Sequence, residues 1–252
     1  MKKQILFTFC FLILCQSGFA QKKDTRDFYS EIKKLDVTEF ILVSNTSIGF
    51  LGADYQRFYI HFTSVQKDGK NPYQYLVKGK TKIKENICTF SGTITLKKAV
   101  TFKVDQDDEI PQDVRAGKFT ASVVLQEDKS QYGSGEITGI LTKGFVLKAG
   151  KLMDDNVLYY GDMPYEGNYF EGNWTSYSSG KSKRCMWYNG GGWTAQQDLF
   201  RLGDDGDVYI NLQYLKNGWE NYVAAYHPAQ LEIEEEKQIH NAQLKEQEKW
   251  WQ

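Results

Sequence analysis

Two thiols, a row of lysines and a cluster of aromatic rings are the groups in this 252-residue chain whose types and spacing could do chemistry. Cys88 and Cys185 are the two cysteines beyond the first twenty residues. In an exported chain, leftover thiols pair more often than they stay free. A bond between them would close a loop of about a hundred residues, worth about 4.7 kcal/mol by chain entropy. A Cys88–Cys185 disulfide is therefore expected, with two separately buried thiols as the alternative. Neither has a histidine or helix start beside it in sequence, which argues against a nucleophilic thiol.

Lys78, Lys80, Lys82 and Lys84 alternate along one predicted strand. Alternate residues stand about 6.6 Å apart on one face, a spacing that suits a polyanion such as a phosphorylated glycan or a lipid headgroup. The competing reading is an exposed strand on which lysines prevent edge-to-edge pairing. Between positions 159 and 193 the chain carries ten aromatic residues, about twice its average of 15%. Tyr169, Trp174, Trp187 and Trp193 stand there among Asn168, Glu171, Asn173 and Asn189. Flat rings beside amides and carboxylates suit sugars, which present apolar faces and hydroxyl edges. The alternative is that Phe170, Trp174 and Trp187 alternate inward as core, since strands favour such residues.

Other chemistries lack their residues. His61, His227 and His240 are too scattered for a zinc site. The acidic runs at 105–113 and 204–207 do not have the ligand spacing of a calcium loop and read as solvated turns. Nucleophile-elbow, zinc-protease, phosphate-loop and dinucleotide-binding patterns are all missing. No metal or cofactor is expected. Paired carboxylates of a glycan hydrolase converge in space and leave no sequence trace, so that activity stays as a third reading.

Lys2 and Lys3, an apolar run from Ile5 to Leu14 and Gly18-Phe19-Ala20 read as a cleaved export signal covering residues 1–20. Losing Lys2 and Lys3 from the 31 basic residues takes the formal charge from -1 to -3. That balance argues against nucleic acid as the main partner. No second run is long enough for a transmembrane helix. The expected compartment is periplasmic or extracellular.

Phe28, Ile32 and Leu35 predict a short N-terminal helix, and from Phe40 the period switches to two. With Glu85-Asn86 as a two-residue turn, Tyr75, Val77, Gly79, Thr81 and Ile83 face Leu96, Ile94, Gly92, Phe90 and Cys88. The lysines fall on the opposite face, and Gly79 against Gly92 predicts a notch. Further strands are expected at 100–104, 119–126, 136–142, 145–148 and 157–160, a break at 161–164, and hairpins at 169–189 and 198–212. Pro228 opens a polar helix running to the end, whose Trp250-Trp251 needs a surface to rest on. The expected architecture is mainly β: an antiparallel barrel or sandwich over 21–160, a smaller aromatic-rich β region over 161–227 and a C-terminal helix over 228–252.

Residues 165–174, Tyr-Glu-Gly-Asn-Tyr-Phe-Glu-Gly-Asn-Trp, resemble the MORN repeat, which implies a hairpin rich in glycine and aromatic residues. Gly172-Asn173-Trp174 is similar to the G-x-W of lipocalins, where that motif sits on the first strand. The stretch from Tyr75 to Lys97 resembles small exported β proteins of Gram-negative bacteria. The reading these features favour is an exported, non-catalytic β protein that binds a glycan or a small apolar ligand. The alternative is an envelope structural or protein-interaction module using the lysine face and 228–252, the latter also a route to self-association.

Overall fold

The computed structural model describes residues 25–42, 48–103, 114–153, 168–188, 198–202 and 208–252. The expected export signal, the strand at 157–160, the break at 161–164, both acidic runs and Trp193 lie outside the described residues.

The period-two stretches become strands in chain order: β1 (Arg26–Asp27), β2 (Ile48–Leu51), β3 (Gln56–Lys67), β4 (Gln74–Ile83), β5 (Asn86–Lys103), β6 (Val114–Glu127), β7 (Gly135–Lys148), β8 (Lys151–Met153), β9 (Tyr169–Ser176), β10 (Ser182–Tyr188), β11 (Phe200–Leu202) and β12 (Val208–Ile210). Eight of them close a ring, in the order β2-β3-β4-β5-β6-β7-β9-β10, with β10 pairing back onto β2. Every neighbour is antiparallel, so the ring is a barrel rather than a sandwich. β1 hangs on β5, β8 on β7, and β11 and β12 form a separate ribbon.

Inward side chains from all eight walls make the main core, with Phe58, Phe119, Phe170 and Trp187 among its largest members. Two single-turn helices, α1 (Tyr29–Ile32) and α2 (Thr38–Ile41), add Ile32, Val37 and Ile41 to that core. They are held at the β3–β4 turn end, where Lys67 Nζ donates to the carbonyls of Lys33 (2.6 Å) and Leu35 (2.7 Å). Val37 N–H donates to the Tyr75 hydroxyl at 3.2 Å.

A second core lies outside the ring. Phe50, Met186 and Tyr188, on the outward phase of β2 and β10, pack with Leu199, Phe200, Ile210, Trp219 and Val223. The last two belong to the C-terminal arm, which contains a 3-10 turn (Leu212–Asn217), α3 (Glu220–Tyr226), a second 3-10 turn (Pro228–Leu231) and α4 (Glu236–Glu246). The boundary expected near 160 is thereby corrected. β9 and β10 are walls of the barrel, and the described chain from 198 onward is laid against its outside.

The β4–β5 hairpin turns at Lys84-Glu85, with Lys84 at φ 54, and its pairing is slid by two residues from the expected register. A slide of two keeps every side chain on its face. It places Gly79 opposite Phe90 instead of Gly92. The ring of Phe90 fills the expected notch: a Cβ on Gly79 would lie 2.4 Å from Phe90 Cζ and 2.2 Å from the His61 carbonyl. The separate strands expected at 100–104 and 145–148 are the ends of β5 and β7, β5 continuing past an irregularity between Leu96 and Lys98.

Candidate functional site

Phe119, Ala121, Val123 and Leu125 point inward from β6, and the same phase carries Glu127, which is 4% exposed. A buried charge requires partners. The Thr81 hydroxyl donates to Glu127 Oε1. Gly135 N–H donates to Oε2 at 2.7 Å and Trp174 Nε1–H to the same oxygen at 2.9 Å. One carboxylate thus ties together β4, β6, β9 and the first residue of β7. Sequence reasoning missed it, although the signal was present: the inward period of β6 runs straight onto residue 127.

That network corrects the expected aromatic shelf. Trp174 is buried with its indole edge turned to Glu127. Trp187 is buried and stacked on Phe170 at 3.8 Å. Tyr169 is half-buried and packed near Tyr188. Trp174 and Trp187 are core and do not offer the open flat face that a sugar would need, while Tyr169 is partly exposed at the margin of the outer cluster.

The expected disulfide is corrected as well, because Cys88 and Cys185 are free thiols. They stand on β5 and β10, which are separated by three strands whichever way the ring is followed. A disulfide needs Cα atoms within about 7 Å, whereas facing sheets stand about 10 Å apart. Burial, reinforced by the charge of Glu127, pushes the Cys88 thiol up to about 11. The same two causes raise Cys185. Both thiols are therefore protonated and poorly nucleophilic at neutral pH.

The lysine row occupies the outward phase of β4 and divides in two. Lys78 and Lys80 join Thr63, Thr89, Ser91, Gln126, Asp128, Lys129 and Tyr177 around an open groove of about 610 Å³. Its shape follows from side-chain length. β5 contributes the short Thr89 and Ser91, while longer chains stand on β4 and at the end of β6. Among the described residues Lys78 and Lys80 make no ion pair. At one end Lys129 Nζ lies 5.1 Å from the centre of the Tyr177 ring, whose hydroxyl is buried with no hydrogen-bond partner among the described residues. Asp128 is occupied by its own turn, accepting from Ser130 N–H at 2.9 Å and Ser130 Oγ at 2.8 Å, which holds its carboxyl below the usual range. Lys84 is exposed in the hairpin turn, and Lys82 acts electrostatically on Glu246 of the arm; neither lines the groove.

The arm is docked on the outer face of β3. Arg57 is buried there, its guanidinium 4.4 Å from the Trp219 ring centre, 4.8 Å from that of Tyr59 and 5.1 Å from that of Tyr222. Its Nη2 meets Glu246 Oε2 from α4 at 3.3 Å, both side chains being shielded from water. Burial raises the Glu246 carboxyl, and the Arg57 charge opposes that rise. Beyond α4, Trp250 meets Tyr59 edge-on and Trp251 stacks on His61 at 3.9 Å and 15°. This is the surface that the terminal Trp pair required. His61 is paired across strands with Lys80, and Tyr59 with Lys82. The two indoles therefore stand one strand away from the lysine row.

Among the described residues no group of three or more His, Cys, Asp or Glu side chains could hold a metal ion. No helix among them is long and apolar enough to cross a membrane. Comparison with protein-family models, curated proteins and solved structures finds no match for this chain.

Proposed function

We propose that this is an exported, non-catalytic binding protein whose groove across β4, β5 and β6 holds an anionic, hydroxyl-rich ligand, the chemistry of an acidic glycan. The observation that carries this reading is the meeting of Lys78 and Lys80, without ion-pair partners, with the hydroxyls of Thr63, Thr89 and Ser91 and the Gln126 amide in one open groove. Lysines answer carboxylate or sulfate groups, while hydroxyls and an amide both donate to and accept from sugar hydroxyls. An apolar ligand inside the ring has less support, because aromatic and aliphatic side chains occupy that volume.

The arrangement of acids favours binding over hydrolysis. A glycosidase uses two carboxyls facing the scissile bond. Here Glu127 is engaged by three donors and Asp128 is tied into its turn. The interaction-module reading has less support, since the arm is docked on its own barrel.

Calorimetric titration with polyuronate, sulfated and neutral oligosaccharides tests the reading. The acidic oligosaccharides should bind, more weakly as salt is raised. The double variant Lys78→Ala/Lys80→Ala should weaken binding tenfold or more. Equal binding of neutral and acidic sugars, or wild-type affinity in the double variant, would overturn it. Export is tested separately by N-terminal sequencing of protein recovered outside the cytoplasm, which should begin at Gln21.

A further inference from the structure

We infer that the site continues past the groove onto the C-terminal arm, where Trp250 and Trp251 form a stacking platform, so that the ligand is an extended acidic saccharide rather than a single small anion. This rests on the groove reading above and names the length and class of what the groove would hold.

Three observations converge on these two residues. Trp174, Trp187 and Trp219 are 9%, 2% and 0% exposed, whereas Trp250 and Trp251 are each only partly covered. Indole is among the costliest side chains to leave facing water, so a pair left partly exposed on a docked arm points to a surface that something else covers. The pair is also held by contacts on both sides. Trp251 lies flat on His61, Trp250 stands perpendicular to it with ring centres 5.8 Å apart, and the buried Arg57–Glu246 pair anchors the helix before them. A platform already ordered spends little conformational entropy on binding.

Placement is the third observation. His61 beneath Trp251 is the direct cross-strand partner of Lys80, a groove residue. Neighbouring strands are about 4.8 Å apart. An indole face and an ammonium group one strand apart match a sugar that stacks through its ring and carries its charge on a substituent. From the arm the surface passes to Lys80 and Lys78, then to Ser91 and Thr89, and ends near Tyr177 and Lys129. That run crosses β3, β4 and β5, longer than one monosaccharide. Single-stranded nucleic acid also uses rings and lysines. The acidic balance of the chain argues against nucleic acid, and the hydroxyls of Thr63, Thr89 and Ser91 beside the lysines suit a hydroxyl-rich saccharide.

The test uses the full chain with a uronic acid monosaccharide and with polyuronate oligomers of increasing length, read by calorimetry and tryptophan fluorescence. Wild-type affinity should rise with oligomer length, and indole emission should shift on binding. Trp251→Ala should lose about tenfold in affinity for the long oligomers and much of the emission shift. Trp251→Phe, which keeps a ring on His61, should recover most of the affinity. An unchanged melting temperature and far-ultraviolet spectrum establish that the variants are folded.

Wild-type affinity for long oligomers in Trp251→Ala, together with weakened binding in Lys78→Ala/Lys80→Ala, would refute the platform and leave the groove standing. Wild-type binding in the lysine double variant would instead remove the groove itself. Affinity independent of oligomer length would also refute the extended site. A single-stranded oligonucleotide that displaces the saccharide and binds more tightly would assign the surface to nucleic acid and overturn the inference.

Discussion

Inside the ring, Glu127 is held by a hydroxyl, a backbone amide and an indole N–H, whereas on the outer face Glu246 meets a guanidinium packed against three aromatic rings. Both acids are removed from water. Neutral donors built into the barrel walls serve the first, and none of them can leave without opening the barrel. A buried guanidinium, with Lys82 acting from further off, serves the second, at the seam between barrel and arm, where Arg57 and Glu246 can return to water if the arm lifts. The first arrangement belongs to a permanent wall and the second to an attached part, so loss of each should be felt over a different extent of the molecule.

The largest effect expected is from Glu127→Ala. It leaves three donors without an acceptor inside the core, each costing about 1–3 kcal/mol, for a total of about 3–5 kcal/mol after partial relaxation. Urea unfolding should show that loss in one cooperative transition. A loss below about 1 kcal/mol would mean that Glu127 does not tie the walls together.

Arg57→Ala should cost less than the about 3–5 kcal/mol of a trapped unpaired charge, because the arm can lift and rehydrate Glu246. Hydrogen exchange should quicken in α4 while the amides of β4 and β6 stay protected. Equal quickening in those strands would erase the distinction between wall and attachment. Arg57→Met combined with Glu246→Leu should restore protection in α4, as apolar replacement of buried pairs often does.

A smaller effect is expected from pH. Burial lowers the His61 value, so the folded state prefers the neutral ring under Trp251. Its contribution is present above the unfolded value of about 6.5. It is lost as pH falls from there toward the lowered folded value. Glu246 has a raised value and acts in the opposite sense, its penalty easing as pH falls through that value. Protection factors in α4, taken relative to the intrinsic exchange rate at each pH, should therefore fall modestly between pH 7.5 and 5.5, and His61→Phe should flatten that change. A steeper change in the variant would show that His61 is not the group responsible.

How much could be read in advance follows the same division between wall and attachment. The faces of Tyr75 to Ile83 and of Ile87 to Leu96 were legible, because a period of two is written into the order of residues. The register was not, because a slide of two preserves the faces, and the size match of Gly79 with Phe90 decided it. Glu127 was hidden by its type: a carboxylate at an inward position interrupts the apolar pattern used to find the core. Trp174 and Trp187 looked like a ligand shelf because strand interiors and sugar platforms draw on the same residues. The free thiols followed from the pairing of β10 with β2, which places β5 and β10 on opposite walls. That Trp250 and Trp251 needed a surface was legible, but which strand supplied it was not, since Tyr59 and His61 lie far away in the chain.

The pairing of Ile48–Leu51 with the strand that ends at Tyr188 also sets the order of events during folding. Six of the eight pairings in the ring join strands close together in the chain and β7–β9 spans a longer connection, but the seam joins the first strand of the ring to its last. Bringing such distant segments together costs loop entropy before any contact rewards it. Chains dominated by non-local pairings fold slowly for this reason. Until residue 188 is available, β2 and the growing last wall are both open edges, able to pair with another chain. A nascent chain thus carries its greatest aggregation risk until the last ring strand arrives, and the step that closes the ring also ends that exposure.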